Sequence, residues 1–207
     1  RYLAGWCPTR IGDGDEDQWG GSLVCHRMLF NADGTIDLKL PDGIDKKFTT
    51  LKKTVLIDKS GKAVKKEDSY VLSDVASVSF PRLDKTCKIE ATVKATGNDD
   101  AFGFAFGACD DKTEVYSIRF DLKNKQLVMS KDDLTRGTTP TQTNVALTVP
   151  ADKLFKVKIV AEKSVCVMYV NDKIAFSNRI DKMPKNPWAI FTDKGTEISF
   201  SDIKVYE

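Results

Sequence analysis

Between Leu154 and Ile180 the spacing of apolar and polar residues predicts three consecutive strands of a large antiparallel sheet. Phe155, Val157, Ile159 and Ala161 are interleaved with Lys156, Lys158 and Glu162, the period of two that turns one face to a core and the other to water. Val160 alone interrupts it. Val165 to Val170 is β-branched and aromatic with apolar residues at both parities, which predicts a strand covered on both faces. Asn171-Asp172 then predicts a tight hairpin, because Asn and Asp tolerate the positive φ such a turn demands. Ile174 and Phe176 resume the alternation.

The same grammar extends in both directions. Tyr2 to Trp6, Gly20 to Phe30 and Thr35 to Leu40 read as three strands of a small meander, joined by an acidic loop and by the turn Asn31-Ala32-Asp33-Gly34. From Phe48 onward, Val55 to Ile57, Tyr70 to Leu72 and Val75 to Phe80 read as short strands, with a turn at Asp58-Lys59-Ser60-Gly61. Cys87 to Ala95 alternates cleanly, Ile89, Ala91, Val93 and Ala95 facing inward. Ala101 to Gly107 sets Phe102, Phe104 and Phe106 on one face and Gly103, Ala105 and Gly107 on the other, a face without bulk. Val115 to Leu122, Gln126 to Ser130, Val145 to Val149, Trp188 to Phe191 and Glu197 to Tyr206 complete about a dozen strands, the last broken at Ser201-Asp202. No helix is expected, and the pattern predicts an all-β, two-sheet antiparallel sandwich.

Composition narrows what such a sandwich does. With 41% hydrophobic and 30% charged residues and a formal net charge of +2, the lysines are dispersed among acids, so a nucleic-acid surface is not expected. No window approaches the roughly 18 apolar residues of a spanning helix, and the start at Arg1 reads as a mature or excised product. The cysteines at 7, 25, 87, 109 and 166 form no CxxC. Cys87 and Cys166 lie within strand patterns and read as small buried hydrophobes.

Arg1-Tyr2-Leu3-Ala4-Gly5-Trp6, Trp19-Gly20-Gly21-Ser22-Leu23-Val24, Arg27, Asp33-Gly34-Thr35 and Pro41 occur in this order over the first fifth of the chain. In order and spacing this resembles the end of the catalytic domain in glycoside hydrolase family 32, the invertases, levanases and inulinases, whose five-bladed β-propeller is followed by a C-terminal β-sandwich. The phrases V-x-V-x-Y-V-N-D and F-S-D-I-K-V-Y resemble the concanavalin-like jelly rolls. The resemblance implies a partial last propeller blade with its connection over residues 1–47 and a β-sandwich of the jelly-roll type over 48–207. It has departures: His26-Arg27-Met28 stands where the family has Pro-Arg-Glu. The family's W-M-N-D-P-N-G, R-D-P and E-C motifs, which carry its three catalytic carboxylates, are absent, so no catalytic residue is assigned. The implied role is that of a non-catalytic C-terminal module of a fructan- or sucrose-type glycosidase, partnered by the catalytic propeller of the same parent and extracellular or periplasmic. The alternative is a free-standing lectin-like carbohydrate-binding sandwich.

The candidate residues follow. Trp6, Trp19 and Trp188 are the expected carbohydrate contacts, since the apolar face of a sugar ring lies well on an indole; packing is the competing role for each. Asp13, Asp15 and Asp17 have the i, i+2, i+4 spacing of a calcium loop, but the sixth position is not Gly and the twelfth is Val24, so a solvated acidic loop is expected and no metal or other cofactor. His26, the one histidine, is next to Cys25. Neighbours in a strand point to opposite faces, which rules out a direct catalytic pair.

Overall fold

The computed structural model describes residues 1–10, 17–84, 86–107, 114–133, 141–180, 187–194 and 196–207, with side chains described for all of these except 9–10, 17–20, 114, 132–133 and 141–142. Among the described residues there are sixteen strands and one four-residue helix. In chain order they are β1 (Tyr2–Arg10), β2 (Asp17–Phe30), β3 (Ile36–Lys39), α1 (Asp42–Asp45), β4 (Leu51–Lys52), β5 (Asp58–Lys66), β6 (Ser69–Phe80), β7 (Thr86–Ala95), β8 (Ala101–Phe106) and β9 (Glu114–Asp121). There follow β10 (Gln126–Asp133), β11 (Thr141–Ala146), β12 (Leu154–Glu162), β13 (Val165–Val170), β14 (Ile174–Arg179), β15 (Trp188–Lys194) and β16 (Ile198–Tyr206).

β1, β2 and β3 make a small antiparallel sheet of their own, in that order. All the other strands belong to one hydrogen-bonded path, β11-β10-β9-β8-β15-β6-β16-β7-β12-β13-β14, with β5 alongside β6 and β4 on β16. The path folds over at the β5–β6 hairpin. β6 gives its second half, from Ala76, to β15 and its first half, Ser69 to Leu72, to β16, and between them Asp74 takes φ 56°. β5 bends with it through a register shift at Gly61/Lys62. Gly61 has φ 66°, and a Cβ there would lie 2.1 Å from the Val75 carbonyl oxygen, so this corner excludes any other residue.

Either side of the corner lie two leaves. Leaf A runs from β11 to the second half of β6, and leaf B from the first half of β6 to β14. Their inner faces meet in a phenylalanine cluster: Phe102 of β8 lies 6.0 Å from Phe155 of β12 and 6.2 Å from Phe200 of β16 between ring centroids, and Phe104 lies 5.9 Å from Phe200. Phe120 of β9 lies 5.2 Å from Phe155. The chain is thus a two-sheet β-sandwich, as its alternation predicts, with Phe102, Phe104, Phe106, Ile89, Ala91, Val93 and Ala95 all buried.

The hairpin at Asn171-Asp172 forms with φ 55° and 51°, and β12, β13 and β14 pair in sequence. β16 is broken where expected, by a register shift between Ser201 and Lys204. Three expectations are corrected. Asp58 to Gly61 is the start of strand β5 and not a turn. It lies at an edge with almost every side chain in water, so it carries no alternation to read. Val55 to Ile57, for which a strand is expected, is not in one. Tyr70 to Leu72 and Val75 to Phe80 are one bent strand instead of two.

Candidate functional site

The three-stranded sheet lies on the outer face of leaf B. In the middle of β2, Val24 and His26 turn inward and are buried, and Val24 and Leu40 form an apolar cluster with Val167 and Tyr169 of β13, flanked by Val160, Val165 and Ala175. This contact explains both irregularities of the sandwich pattern. Val160 breaks the alternation of β12, and β13 is apolar at both parities, because the small sheet covers them.

Polar groups fix the register of the contact. Nδ1 of His26 is 3.0 Å from the Tyr169 hydroxyl and Nε2 is 3.2 Å from Oγ of Ser177. Burial holds the imidazole below its usual pKa and pushes the Tyr169 phenol up. A neutral ring donates to one hydroxyl and accepts from the other. Arg179 of β14 donates from Nε to the Pro8 carbonyl and from one terminal nitrogen to the Cys7 carbonyl, each at 2.8 Å, and from the other to Ser164. The Leu38 amide donates to the Lys173 carbonyl at 2.9 Å. His26 is thus a packing residue at a junction, while Cys25 points to the opposite face.

That opposite face has no cover among the described residues. Tyr2, Trp6 and Leu23 are 58%, 54% and 74% exposed, with the Arg27 guanidinium 5.6 Å above the Tyr2 ring. The Trp6 indole leans across Gly21, where a Cβ would lie 1.6 Å from Nε1. Trp6 is therefore open to a ligand or to more protein. The side chain of Trp19 lies outside the described residues, as do Asp13, Asp15 and Cys109. Trp188 is corrected as a sugar contact: 2% exposed, it stacks on Phe80 at 4.5 Å and offers no open face.

On the open face of leaf A, Gly103 stands where a Cβ would meet the Ile118 carbonyl oxygen of β9 at 2.0 Å, so close strand approach explains this glycine. Over that bare strand Arg119 of β9 reaches Asp193 of β15 at 3.1 Å, beside half-buried Phe191, which pairs with Gly103.

The outer face of leaf B, beyond the small sheet, is charged. The segment after β3 crosses it and is held by ions: Lys88 of β7, nearly buried, contacts Asp45 at 2.5 Å and Glu90 at 2.8 Å and lies 4.5 Å above the Tyr206 ring. Lys158 is 3.5 Å from Asp45 and 3.9 Å from Asp172. Partial burial alone would raise the Asp45 carboxyl, but the Lys88 hydrogen bond and both lysine charges outweigh it and hold the carboxyl below its usual range. Beyond Lys158 the face opens into a hollow of about 450 Å³, lined by Glu90, Thr92, Lys156, Lys158, Asn171, Asp172, Asp202 and Lys204 among others. Sequence reading misses it, because its residues come from β7, β12, β16 and the β13–β14 turn. Only the break at Ser201-Asp202 marks it. Among the described residues no group of three or more His, Cys, Asp or Glu side chains is placed to hold a metal ion.

With sandwich and junction in view, residues 34–205 match the family model described as GH32, BT1760-like, C-terminal domain. The chain belongs to this family. The GH32 C-terminal domain fold recurs in solved structures. All of the chain superposes on a fructosyltransferase from A. japonicus (TM-score 0.62, 13% identity), where it covers 34% of that protein. It covers 39% of an exo-inulinase from Aspergillus awamori, with 99% of the chain matched (TM-score 0.65, 15% identity). The carbohydrate binding module CBM66 from Bacillus subtilis matches 77% of the chain over 99% of its own length (TM-score 0.59, 11% identity). At these identities the likeness is one of fold. A search of curated proteins finds no match. The GH32 C-terminal domain described here spans about a third of the fructosyltransferase it resembles.

Proposed function

We propose that this chain is the non-catalytic C-terminal portion of a GH32-type fructan- or sucrose-acting glycosidase, bracing the catalytic propeller and contributing carbohydrate binding. The observation that carries the reading is the two-sided small sheet. One face is built into the sandwich through Val24, His26 and Leu40, while the other leaves Tyr2, Trp6 and Leu23 in water. An isolated three-stranded meander of this kind is marginal, and a neighbouring blade of a longer protein is the natural cover. β1–β3 is on this reading the remnant of the last blade, and Trp6 packs at the blade seam. The match of the whole chain to a third of the fructosyltransferase supports it. The free-standing alternative draws on one observation, that a named carbohydrate binding module is matched over nearly its whole length, and this favours sugar binding under either reading.

The test is direct. Purified as the 207-residue chain, the protein is expected to release no reducing sugar from sucrose, levan or inulin, because it carries none of the motifs that supply the family's carboxylates. Hydrolysis that disappears when one of the chain's own acids is replaced would overturn the non-catalytic assignment.

A further inference from the structure

We infer that the hollow on the outer face of leaf B is a binding site for a neutral sugar unit of a glycan. The inference rests on the carbohydrate-binding reading above and assigns it a place. The hollow exists because of register: Thr92 of β7 pairs with Lys156 on one side and Ser201 on the other, so short side chains lie between long ones. Its volume of about 450 Å³ falls within the about 300–1,000 Å³ of small-molecule sites.

The rim divides into groups that hold the shape and groups that are free. Glu90 is engaged by Lys88, and Lys158 by Asp45 and Asp172. The Lys156 and Lys204 ammonium groups and the Asp202 carboxylate have no side-chain partner among the described residues. Asp202 reaches the rim through the bulge of β16, at φ 52°, a left-handed conformation that the short polar side chain of Asp tolerates.

The charges select the ligand. Three lysines alternate with three carboxylates, so an anion such as phosphate meets Glu90, Asp172 and Asp202, and a cation meets the lysines. Vicinal hydroxyls satisfy both sets, because each hydroxyl donates and accepts. No open aromatic face lines the hollow, since Tyr169 is 2% exposed, so hydrogen bonds carry the affinity.

The experiment is calorimetric or NMR titration of the whole chain with a neutral fructo-oligosaccharide. Asp202→Asn and Lys204→Ala are each expected to weaken binding roughly tenfold, as loss of a charge-assisted hydrogen bond does, with Lys204→Arg retaining most of it. Phe191→Ala, on the open face of leaf A, is expected to leave affinity unchanged. Binding should vary little with salt, unlike that of an anion. Unchanged affinity in both hollow variants, or loss confined to Phe191→Ala, overturns the site and leaves the carbohydrate reading standing. No response of the unaltered chain overturns both. Inorganic phosphate competing at the hollow overturns the ligand class.

Discussion

At the scale of single residues, parity along a strand decides cost. Phe104 is fully buried and packs edge-on against Phe200 of the opposite leaf, whereas Lys94 of β7, four strands along the path, projects into water and donates only to the Asp152 carbonyl. Phe104→Ala removes both transfer energy and packing, about 3–5 kcal/mol. It is expected to lower the melting temperature sharply or unfold the chain, and Lys94→Ala to cost about 0.5 kcal/mol or less. Thermal scans of the two variants side by side check this, and equal melting points would refute the assigned faces. Parity was readable because these strands have one wet face. Cys87 and Cys166 show the same logic: both are buried, and burial, with the negative charges of Asp84 and Glu207, pushes the Cys87 thiol up to about 12.

At the scale of elements, the contact of β1–β3 with β13 and β14 is a small apolar patch closed by directed polar bonds. Arg179→Met removes the donors that hold the Pro8 and Cys7 carbonyls, each charge-assisted bond contributing about 1.5–3 kcal/mol. Hydrogen exchange of residues 2–8 is expected to accelerate while exchange in β7 and β12 stays slow. Equal protection in the variant would show that the apolar patch alone suffices. The contact should also weaken in acid. Burial holds the His26 imidazole below its ordinary pKa, so its contribution is fully present above about pH 6.5 and is lost as pH falls through the folded value. The Asp45 carboxyl is held below the usual carboxylate range, where the Lys88 hydrogen bond and both lysine charges outweigh its partial burial. Protection of β1–β3 between about pH 7 and pH 5 should therefore fall in the native chain and vary less in His26→Asn. A pH-independent native contact would exclude His26 as its titrating group.

At the scale of the whole molecule, the question is which part stands alone. Leaf A and leaf B share one core, and the small sheet adds a satellite cluster on one side. A chain beginning at Phe48 is expected to unfold cooperatively, because the shared core lies within it, while its newly uncovered Val160, Val167 and Tyr169 give it a second face for self-association. The full chain is expected to self-associate through Tyr2, Trp6 and Leu23, since nothing described covers them. Analytical ultracentrifugation of both decides this; a strictly monomeric full chain with strong protection on both faces of β1–β3 would remove the main support for the proposal that this sheet packs on a propeller.

The sequence alone determined the strands with a buried and a wet face, the hairpin at Asn171-Asp172 and the break at Ser201-Asp202, because alternation and positive-φ residues are local signals. It also marked Val160 and the two-sided β13 as exceptions, without saying what lay over them. Only the tertiary structure decided that the cover is β1–β3, that β5 is a strand despite its lysines, and that Trp188 is in the core instead of at a sugar. An edge strand has no buried face to leave a pattern, and the parity of a tryptophan does not say which layer it meets. The hollow was invisible for the same reason. Thr92, Lys156, Asp202 and Lys204 become neighbours only through the pairing of β7, β12 and β16, which no local periodicity encodes.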